Sequence, residues 1–198
     1  MSDLPRTVEI HEEGPREGFQ IEPGPISTVD KVKLIDALSK TGLKHIQACS
    51  FVNPRLVPGW ADAEKVVESF DAHEDVEYTG LYFNGNGLDR ALAFKDKLTI
   101  SGSISLTASE GFTKKNLNRT HAENMAAMER HVMSHLEHGI PVNRIGVMAA
   151  FGCNYQGDIS SETVIKTLED GMQIATKTGA EITLFSLADT MGWAAPHR

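Results

Sequence analysis

The residues best suited to chemistry in this sequence are Arg16 and Glu17, neighbours in the motif at residues 13–20. They follow a run of alternating apolar residues at 7–11 that predicts a strand ending in a turn with glycine and proline. A guanidinium grips an oxyanion through paired hydrogen bonds, and a carboxylate offers oxygen ligands to a hard divalent cation. The pair indicates an anion and metal site at the carboxyl end of the first strand, and a charged surface turn is the alternative interpretation.

The composition excludes several classes of function. Acidic residues outnumber basic ones, 27 to 19, and Lys114-Lys115 is the only basic pair, so no nucleic-acid partner is expected. The N-terminus lacks an apolar signal core, and no apolar run approaches the ~20 residues of a membrane span. We therefore expect a cytoplasmic protein with no membrane partner. The cysteines, Cys49 and Cys153, fit no Cys-x-x-Cys pattern, which indicates free thiols.

Six predicted strands alternate with helices and must position these residues. The strands are predicted at residues 7–11, 44–49, 76–82, 98–106, 144–150 and 181–187. Helices are predicted from the N-cap Ser27, at about 63–70, 88–94 and 122–138, and in the stretch that ends at residue 178. Residues 107–120 and 151–160 are predicted as loops.

The strict alternation favours an α/β fold with a parallel sheet. The longer polar loops follow strands, which is typical of a TIM (β/α)₈ barrel, where the chemistry lies on such loops. An open doubly wound sheet is the alternative, but no Gly-x-Gly-x-x-Gly follows the first strand. Because such barrels usually need about 250 residues, we predict one incomplete TIM-barrel catalytic domain at residues 1–198, truncated after strand six.

Several motifs point to one enzyme family. They are residues 14–20 (GPREGFQ), 31–36 (KVKLID), 50–54 (SFVNP), 108–116 (ASEGFTKKN), 152–157 (GCNYQG) and 188–192 (ADTMG). On these motifs the chain resembles the 3-hydroxy-3-methylglutaryl-CoA lyase family of metal-dependent TIM-barrel enzymes, over about the first two-thirds of the family's length. The Gly-Pro before Arg16 and the Phe-Thr-Lys-Lys-Asn run resemble the lyases rather than the related isopropylmalate and homocitrate synthases.

The resemblance implies a carbon–carbon lyase of the kind used in leucine degradation. It would cleave a 3-hydroxy-3-acyl-CoA to acetyl-CoA and a keto acid, with Mg²⁺ or Mn²⁺ as cofactor and an acyl-CoA as its small-molecule partner. A homo-oligomer is expected. Arg16 matches the family's active-site arginine, which stabilises the developing enolate, and Asp189 matches a carboxylate used in positioning or proton transfer. Glu17 matches a metal ligand, and the residues that would contact substrate are Gln47, Ser109, Asn116, Tyr155 and Thr190.

The sequence departs from the family in three respects. Glu17 replaces an aspartate, so the carboxylate is displaced by one methylene from the position that the metal requires. Gln47 replaces a glutamate, and an amide keeps the shape but neither acts as a base nor carries charge. No His-x-His occurs in the chain, whereas the family's His-x-His metal ligands follow strand six. Two alternatives therefore stay open: a lyase for a different hydroxyacyl-CoA, and a non-catalytic fragment or scaffold.

Other residues have simpler predicted roles. His131, His135 and His138 share one helical stripe, which we expect to be a solvated flank. Cys153 is interpreted as a small residue packed in a turn, and Lys114 and Lys115 either contact CoA phosphates or are ordinary surface lysines. If the outer strands lack neighbours, their apolar residues face water or another chain and favour self-association. These residues are Val8, Ile10, Ile182 and Leu184.

Overall fold

The computed structural model describes residues 6–195, which divide into two compact units between Ile100 and Ser101. Each unit holds a sheet of three parallel strands whose connections contain helices. The prediction of an α/β fold with parallel pairing is confirmed, and the single catalytic domain over residues 1–198 stays a prediction. None of the helices within residues 6–195 is both long and apolar enough to span a bilayer.

The first unit is built around β2, which lies between β1 and β3. Ile46 and Ala48 of β2 are buried among the helices, and Gln47, between them, alternates to the opposite face. Trp60, Val66 and Phe70 complete this core. The elements are β1 (His11–Glu12), α1 (Gly14–Ile21), α2 (Thr28–Leu38), β2 (His45–Ser50), a 3₁₀ turn (Pro58–Trp60), α3 (Ala63–Ser69), β3 (Glu77–Leu81) and α4 (Gly85–Leu92).

The second unit is built around β5, which lies between β4 and β6. Its core joins Ile104 and Ile145 of the sheet to Val132 and Ile174 of the two long helices. Each helix begins at a hydroxyl N-cap that accepts a hydrogen bond from a backbone N–H of the first turn. The elements are β4 (Gly102–Thr107), α5 (Glu110–Leu117), α6 (His121–Glu137), β5 (Val142–Met148), α7 (Ser161–Thr178) and β6 (Leu184–Leu187).

Two predicted turns or loops are helices. The motif at residues 13–20 forms most of α1 instead of a turn, because Pro15 suits the first helical turn, where its missing N–H costs no hydrogen bond. The preceding strand is correspondingly shorter than predicted, with only His11 and Glu12 in β1. Within the predicted loop at 107–120, Ser109 caps α5 and Asn118 ends it in the left-handed conformation, with φ of 50°.

The prediction of a solvated histidine flank on α6 is wrong for His135, which is 1% exposed. Its Nδ1 lies 2.7 Å from the carbonyl oxygen of His131. A Cβ at Gly102 would lie 2.8 Å from Cδ2 of His135, so the glycine that starts β4 leaves room for this imidazole. Burial lowers the pKa of both His131 and His135, that of His131 to about 4, while His138 is exposed.

The apolar residues expected to face outward on the first and last strands divide into two groups. Val8, Ile10 and Leu184 are exposed, the first of them by 79%. Ile182 is partly buried against the core of the second unit, so the expectation is wrong for this residue. It lies between α7 and β6, in a segment whose Ala180 packs against the same core.

Candidate active site

The guanidinium of Arg16 is held by acceptors on all three of its nitrogens. Nε donates to Oε1 of Gln47 on β2, and Nη1 donates to the carboxylate of Glu17. Nη2 donates to Oε2 of Glu13 at 2.7 Å. The side chain is only 12% exposed, so the planar guanidinium is fixed in one orientation on a helix that begins two residues after β1.

The backbone of Arg16 is anchored as well. Its carbonyl oxygen accepts a hydrogen bond of 3.1 Å from Nε1 of Trp60, a side chain with no exposed surface. The ring of Phe19 lies 6.2 Å from that of Trp60, so α1 packs on the 3₁₀ turn through aromatic contact. These contacts place the Arg16 side chain with little freedom to reorganise.

Glu17 and Gln47 supply oxygen atoms of the kind that a hard divalent cation prefers. One carboxylate oxygen of Glu17 already accepts a hydrogen bond from Arg16, and Oε1 of Gln47 does the same. Among residues 6–195, no group of three His, Cys, Asp or Glu ligands includes Glu17. Glu17 is therefore not part of such a three-residue ligand group, whereas histidine and glutamate side chains that could hold a metal do meet elsewhere in this unit.

In the second unit, Ser109 joins the start of α5 to the turn at residues 153–157. Its hydroxyl accepts from the backbone N–H of Phe112 at 3.1 Å and lies 3.0 Å from Sγ of Cys153. Cys153 is fully buried, and its backbone N–H and C=O both bond to Gly157. The interpretation of Cys153 as a residue packed in a turn is confirmed.

Tyr155 and Asn116 lie on the surface near this junction. The tyrosine is 54% exposed, and a Cβ at Gly111 would lie 3.1 Å from its Cβ, so the glycine lets α5 approach the turn closely. Asn116 is exposed and donates to the carbonyl oxygen of Phe112 at 3.2 Å, within its own helix. Lys114 and Lys115 are exposed in the same helix.

Asp189 and Thr190 lie just after β6 and order two different segments. The carboxylate of Asp189 accepts from the backbone N–H of Trp193 at 2.7 Å and from that of Ala194 at 3.0 Å. The hydroxyl of Thr190 accepts from the N–H of Ala149 at 2.8 Å, where the backbone has a positive φ of 53°. Both side chains remain exposed.

The structure thus brings Arg16, Glu17 and Gln47 together in the first unit, and Ser109 beside the turn that carries Tyr155 in the second. Sequence reasoning missed Glu13 and Trp60 as partners of Arg16. Glu13 lies three residues before Arg16, so recognising the helix would have revealed it. Trp60 is 44 residues away in sequence, and no local pattern indicates that contact.

The solved structures to which the chain is similar define its fold class, because they are TIM barrels. The chain is similar to hydroxymethylglutaryl-CoA lyase from Pseudomonas aeruginosa, with a TM-score of 0.83 and 29% identity over 98% of this chain and 61% of that one. It is similar to the Bacillus subtilis enzyme, with a TM-score of 0.82 and 33% identity over the same shares. A lyase from Acinetobacter baumannii in complex with coenzyme A and 3-methylmalate matches with a TM-score of 0.79, at 31% identity over 100% of this chain and 61% of that one. The TIM-barrel prediction is confirmed.

The chain belongs to the HMGL-like family, which matches residues 7–198. Curated relatives include hydroxymethylglutaryl-CoA lyase YngG of Bacillus subtilis, 34% identical over 97% of this chain and 61% of that protein. The cytoplasmic lyase of Rattus norvegicus is 36% identical over 99% of this chain and 54% of its own length. The mitochondrial lyase of Homo sapiens is 35% identical, over 99% and 57%. The chain therefore spans between about half and two-thirds of the length of these relatives, and cytoplasmic location stays a prediction.

Proposed function

We propose that the protein carrying this chain is a hydroxymethylglutaryl-CoA lyase-like enzyme that cleaves a 3-hydroxy-3-acyl-CoA to acetyl-CoA and a keto acid. The observation that carries the proposal is the guanidinium of Arg16, held on three sides at the start of α1 in a chain of the HMGL-like family. Relatives named as lyases over nearly the whole chain support it.

The proposed cleavage is a retro-Claisen reaction. A base removes the proton of the tertiary hydroxyl, the oxygen forms a carbonyl, and the adjacent carbon–carbon bond breaks. The electron pair of that bond becomes the enolate of acetyl-CoA, which takes up a proton to give the product. Negative charge develops on the thioester oxygen, and a preorganised cation stabilises it most strongly. Arg16 is proposed as that cation, since its fixed orientation leaves little reorganisation for the transition state.

The other site residues enter the proposal in distinct roles. Asp189 is proposed to position substrate or to transfer a proton, and the two backbone donors that orient its carboxylate support this role. Asn116, Tyr155 and Thr190 are proposed substrate contacts, and their exposure leaves them available for it. Ser109 was expected to contact substrate but has no exposed surface, so we propose instead that it holds α5 against the turn at 153–157.

A divalent metal, Mg²⁺ or Mn²⁺ with Glu17 as one ligand, belongs to the same proposal. The family is metal-dependent, and such an ion would supply positive charge to oxygen atoms of the substrate. Within residues 6–195, no two further His, Cys, Asp or Glu side chains form a ligand group with Glu17. No step is therefore assigned to the metal through the residues described.

A lyase for a different hydroxyacyl-CoA is the second candidate, and the contact between Gln47 and Arg16 favours it. A neutral amide here replaces the carboxylate of the family. One negative charge fewer therefore lies beside Arg16 on the side facing β2. A guanidinium with fewer carboxylates around it binds an additional anionic group more strongly. An acyl part with a different distribution of carboxylates is thus a suitable alternative substrate.

The experiment is an assay of acetyl-CoA release by the full-length protein that carries this sequence. 3-Hydroxy-3-methylglutaryl-CoA and a series of other 3-hydroxy-3-acyl-CoA thioesters are supplied, each with and without EDTA. We expect release that EDTA abolishes and that added Mg²⁺ or Mn²⁺ restores. Turnover confined to another thioester would select the second candidate, and no metal-dependent release from any of them would overturn both.

A further inference from the structure

A second group of chemically competent side chains lies at the amino-terminal ends of the strands in the first unit. His11 and His45 are the first residues of β1 and β2 and are register partners, and Glu77 at the start of β3 is the partner of His45. Neighbouring strands lie about 4.8 Å apart, so these three side chains stand side by side. Glu9 precedes His11 by two residues and reaches the same face.

The Nε2 atoms of both imidazoles converge on one carboxylate oxygen. Oε1 of Glu9 lies 3.5 Å from Nε2 of His11 and also contacts Nε2 of His45. The ligand atoms of the three residues all lie within 4.8 Å of one another. A tetrahedral ion with bonds of about 2.0–2.1 Å needs ligand atoms about 3.4 Å apart. That separation lies within the 4.8 Å limit of this group, whose two rings are stacked with their centroids 4.0 Å apart.

The other nitrogen of His45 is also occupied. Its Nδ1 lies 3.1 Å from Oε2 of Glu77, and such a carboxylate holds the proton on Nδ1. A neutral His45 in this tautomer directs the lone pair of Nε2 at the carboxylate of Glu9, where two acceptors face each other. A cation between the two groups removes that repulsion.

We propose that Glu9, His11 and His45 form a binding site for a zinc-type transition-metal ion, with Glu77 as the residue that orients His45. Two imidazole nitrogens and one carboxylate oxygen suit Zn²⁺, whereas Mg²⁺ prefers oxygen ligands alone. The site is distinct from the proposed active-site metal, whose ligand Glu17 lies in α1. Because β1 pairs with β2 through only two residues, an ion here would fasten the segment before β1 to the sheet.

The test is calorimetric titration of the chelator-treated chain with ZnCl₂ and, separately, with MgCl₂. We expect one Zn²⁺ per chain, no comparable Mg²⁺ binding, and a melting temperature that rises with Zn²⁺ concentration. His11→Ala and Glu9→Gln should weaken Zn²⁺ binding by roughly 100-fold or more, since even loss of an orienting carboxylate costs about 10–100-fold. Glu77→Gln should weaken Zn²⁺ binding by that smaller factor of about 10–100-fold.

Matched controls separate this site from the rest of the chain. His73→Ala removes an exposed histidine of the same unit, and Glu17→Gln removes the proposed ligand in α1, so both should retain full Zn²⁺ affinity. His11 is exposed, so its alanine variant should fold, and His45→Gln serves as a conservative second ligand variant. Zn²⁺ affinity equal to wild type in His11→Ala and His45→Gln, or no Zn²⁺ binding by the wild type, overturns the proposal. Neither outcome bears on acetyl-CoA release.

Discussion

Arg16 is the residue on which the proposed chemistry depends most. Its guanidinium is oriented by Gln47 from β2 and by Glu13 and Glu17 from the region of α1. Lysine carries its charge at a single flexible point and cannot reproduce three bonds in one plane. A substitution that keeps the charge but loses the planar group therefore tests orientation separately from charge.

We predict that Arg16→Lys lowers kcat for acetyl-CoA release on the order of 10²-fold or more, because the transition-state charge loses its preorganised partner. Steady-state kinetics of the full-length protein measure this, and thermal unfolding checks the fold. Arg55→Lys, at an exposed position of the same unit, is the matched control and should leave kcat unchanged. An unchanged kcat together with an unchanged melting temperature would remove Arg16 from the mechanism.

At the scale of elements, the buried Lys31 joins α2 to the segment that leads into α3. Its Nζ donates to Oδ1 of Asp62 at 2.6 Å and to the carbonyl oxygen of Gly59, and lies 4.7 Å from the centre of the Trp60 ring. Burial acts to raise the pKa of Asp62, but hydrogen bonds from Lys31 and Thr28 outweigh it and the pKa is lowered. The ion pair therefore stabilises the packing around Trp60, whose Nε1 donates to the carbonyl oxygen of Arg16.

We predict that Lys31→Met destabilises the chain by about 2–3 kcal/mol, because Asp62 is left partly buried without its cation. Lys33→Met, at an exposed lysine of the same helix, should cost less than about 0.5 kcal/mol. Urea unfolding at neutral pH measures both free energies of unfolding. A loss in Lys31→Met no larger than that in Lys33→Met would show that the pair contributes nothing net.

The same pair predicts a dependence on pH. Because the pKa of Asp62 is lower in the folded state than in the unfolded state, its contribution is present above about pH 4 and is lost as pH falls through the folded value. Lys31→Met removes a hydrogen bond that lowers this pKa, so its free energy of unfolding should fall less steeply below pH 4 than that of the wild type. Equal slopes in urea unfolding at pH 4 and pH 3 would contradict the assignment.

At the scale of the whole molecule, the exposed surface of β6 is mostly apolar. Leu184, Phe185 and Leu187 are each about half exposed, and Phe185 lies beside Ile165 and Met172 of α7 in one open groove. Apolar patches of this kind mark surfaces that associate. The expectation of a homo-oligomer stays a prediction, and this surface is where association of the 198-residue chain is best tested.

We predict that the isolated 198-residue chain self-associates, and that Phe185→Lys with Leu187→Lys reduces this by placing charge on the apolar strand. Size-exclusion chromatography with light scattering measures the molar mass. Thr183→Lys adds the same kind of charge at an exposed polar position just before β6 and should leave self-association unchanged. A wild-type chain that elutes as a compact monomer at all concentrations would refute the prediction.

The sequence by itself determined the alternation of strands and helices, the N-cap at Ser27 and the family motifs that follow the strands. Ser27 accepts a hydrogen bond from the N–H of Asp30, as its position predicts. These features are readable because apolar periodicity and capping depend on residues within one or two turns of the chain. The short helices α1 and α5 were not predicted, because their few turns carry too little periodicity to separate them from polar loops.

Only the tertiary structure decided which polar residues are buried and which meet. His135 is buried because Gly102 leaves space for it on the neighbouring strand, and Lys31 because Asp62 lies opposite it. Glu9, His11 and His45 form one cluster because the parallel register pairs residue 11 with residue 45. Each depends on contacts between residues about 30 or more positions apart, and the spacing of residue types along the chain carries no information about such contacts.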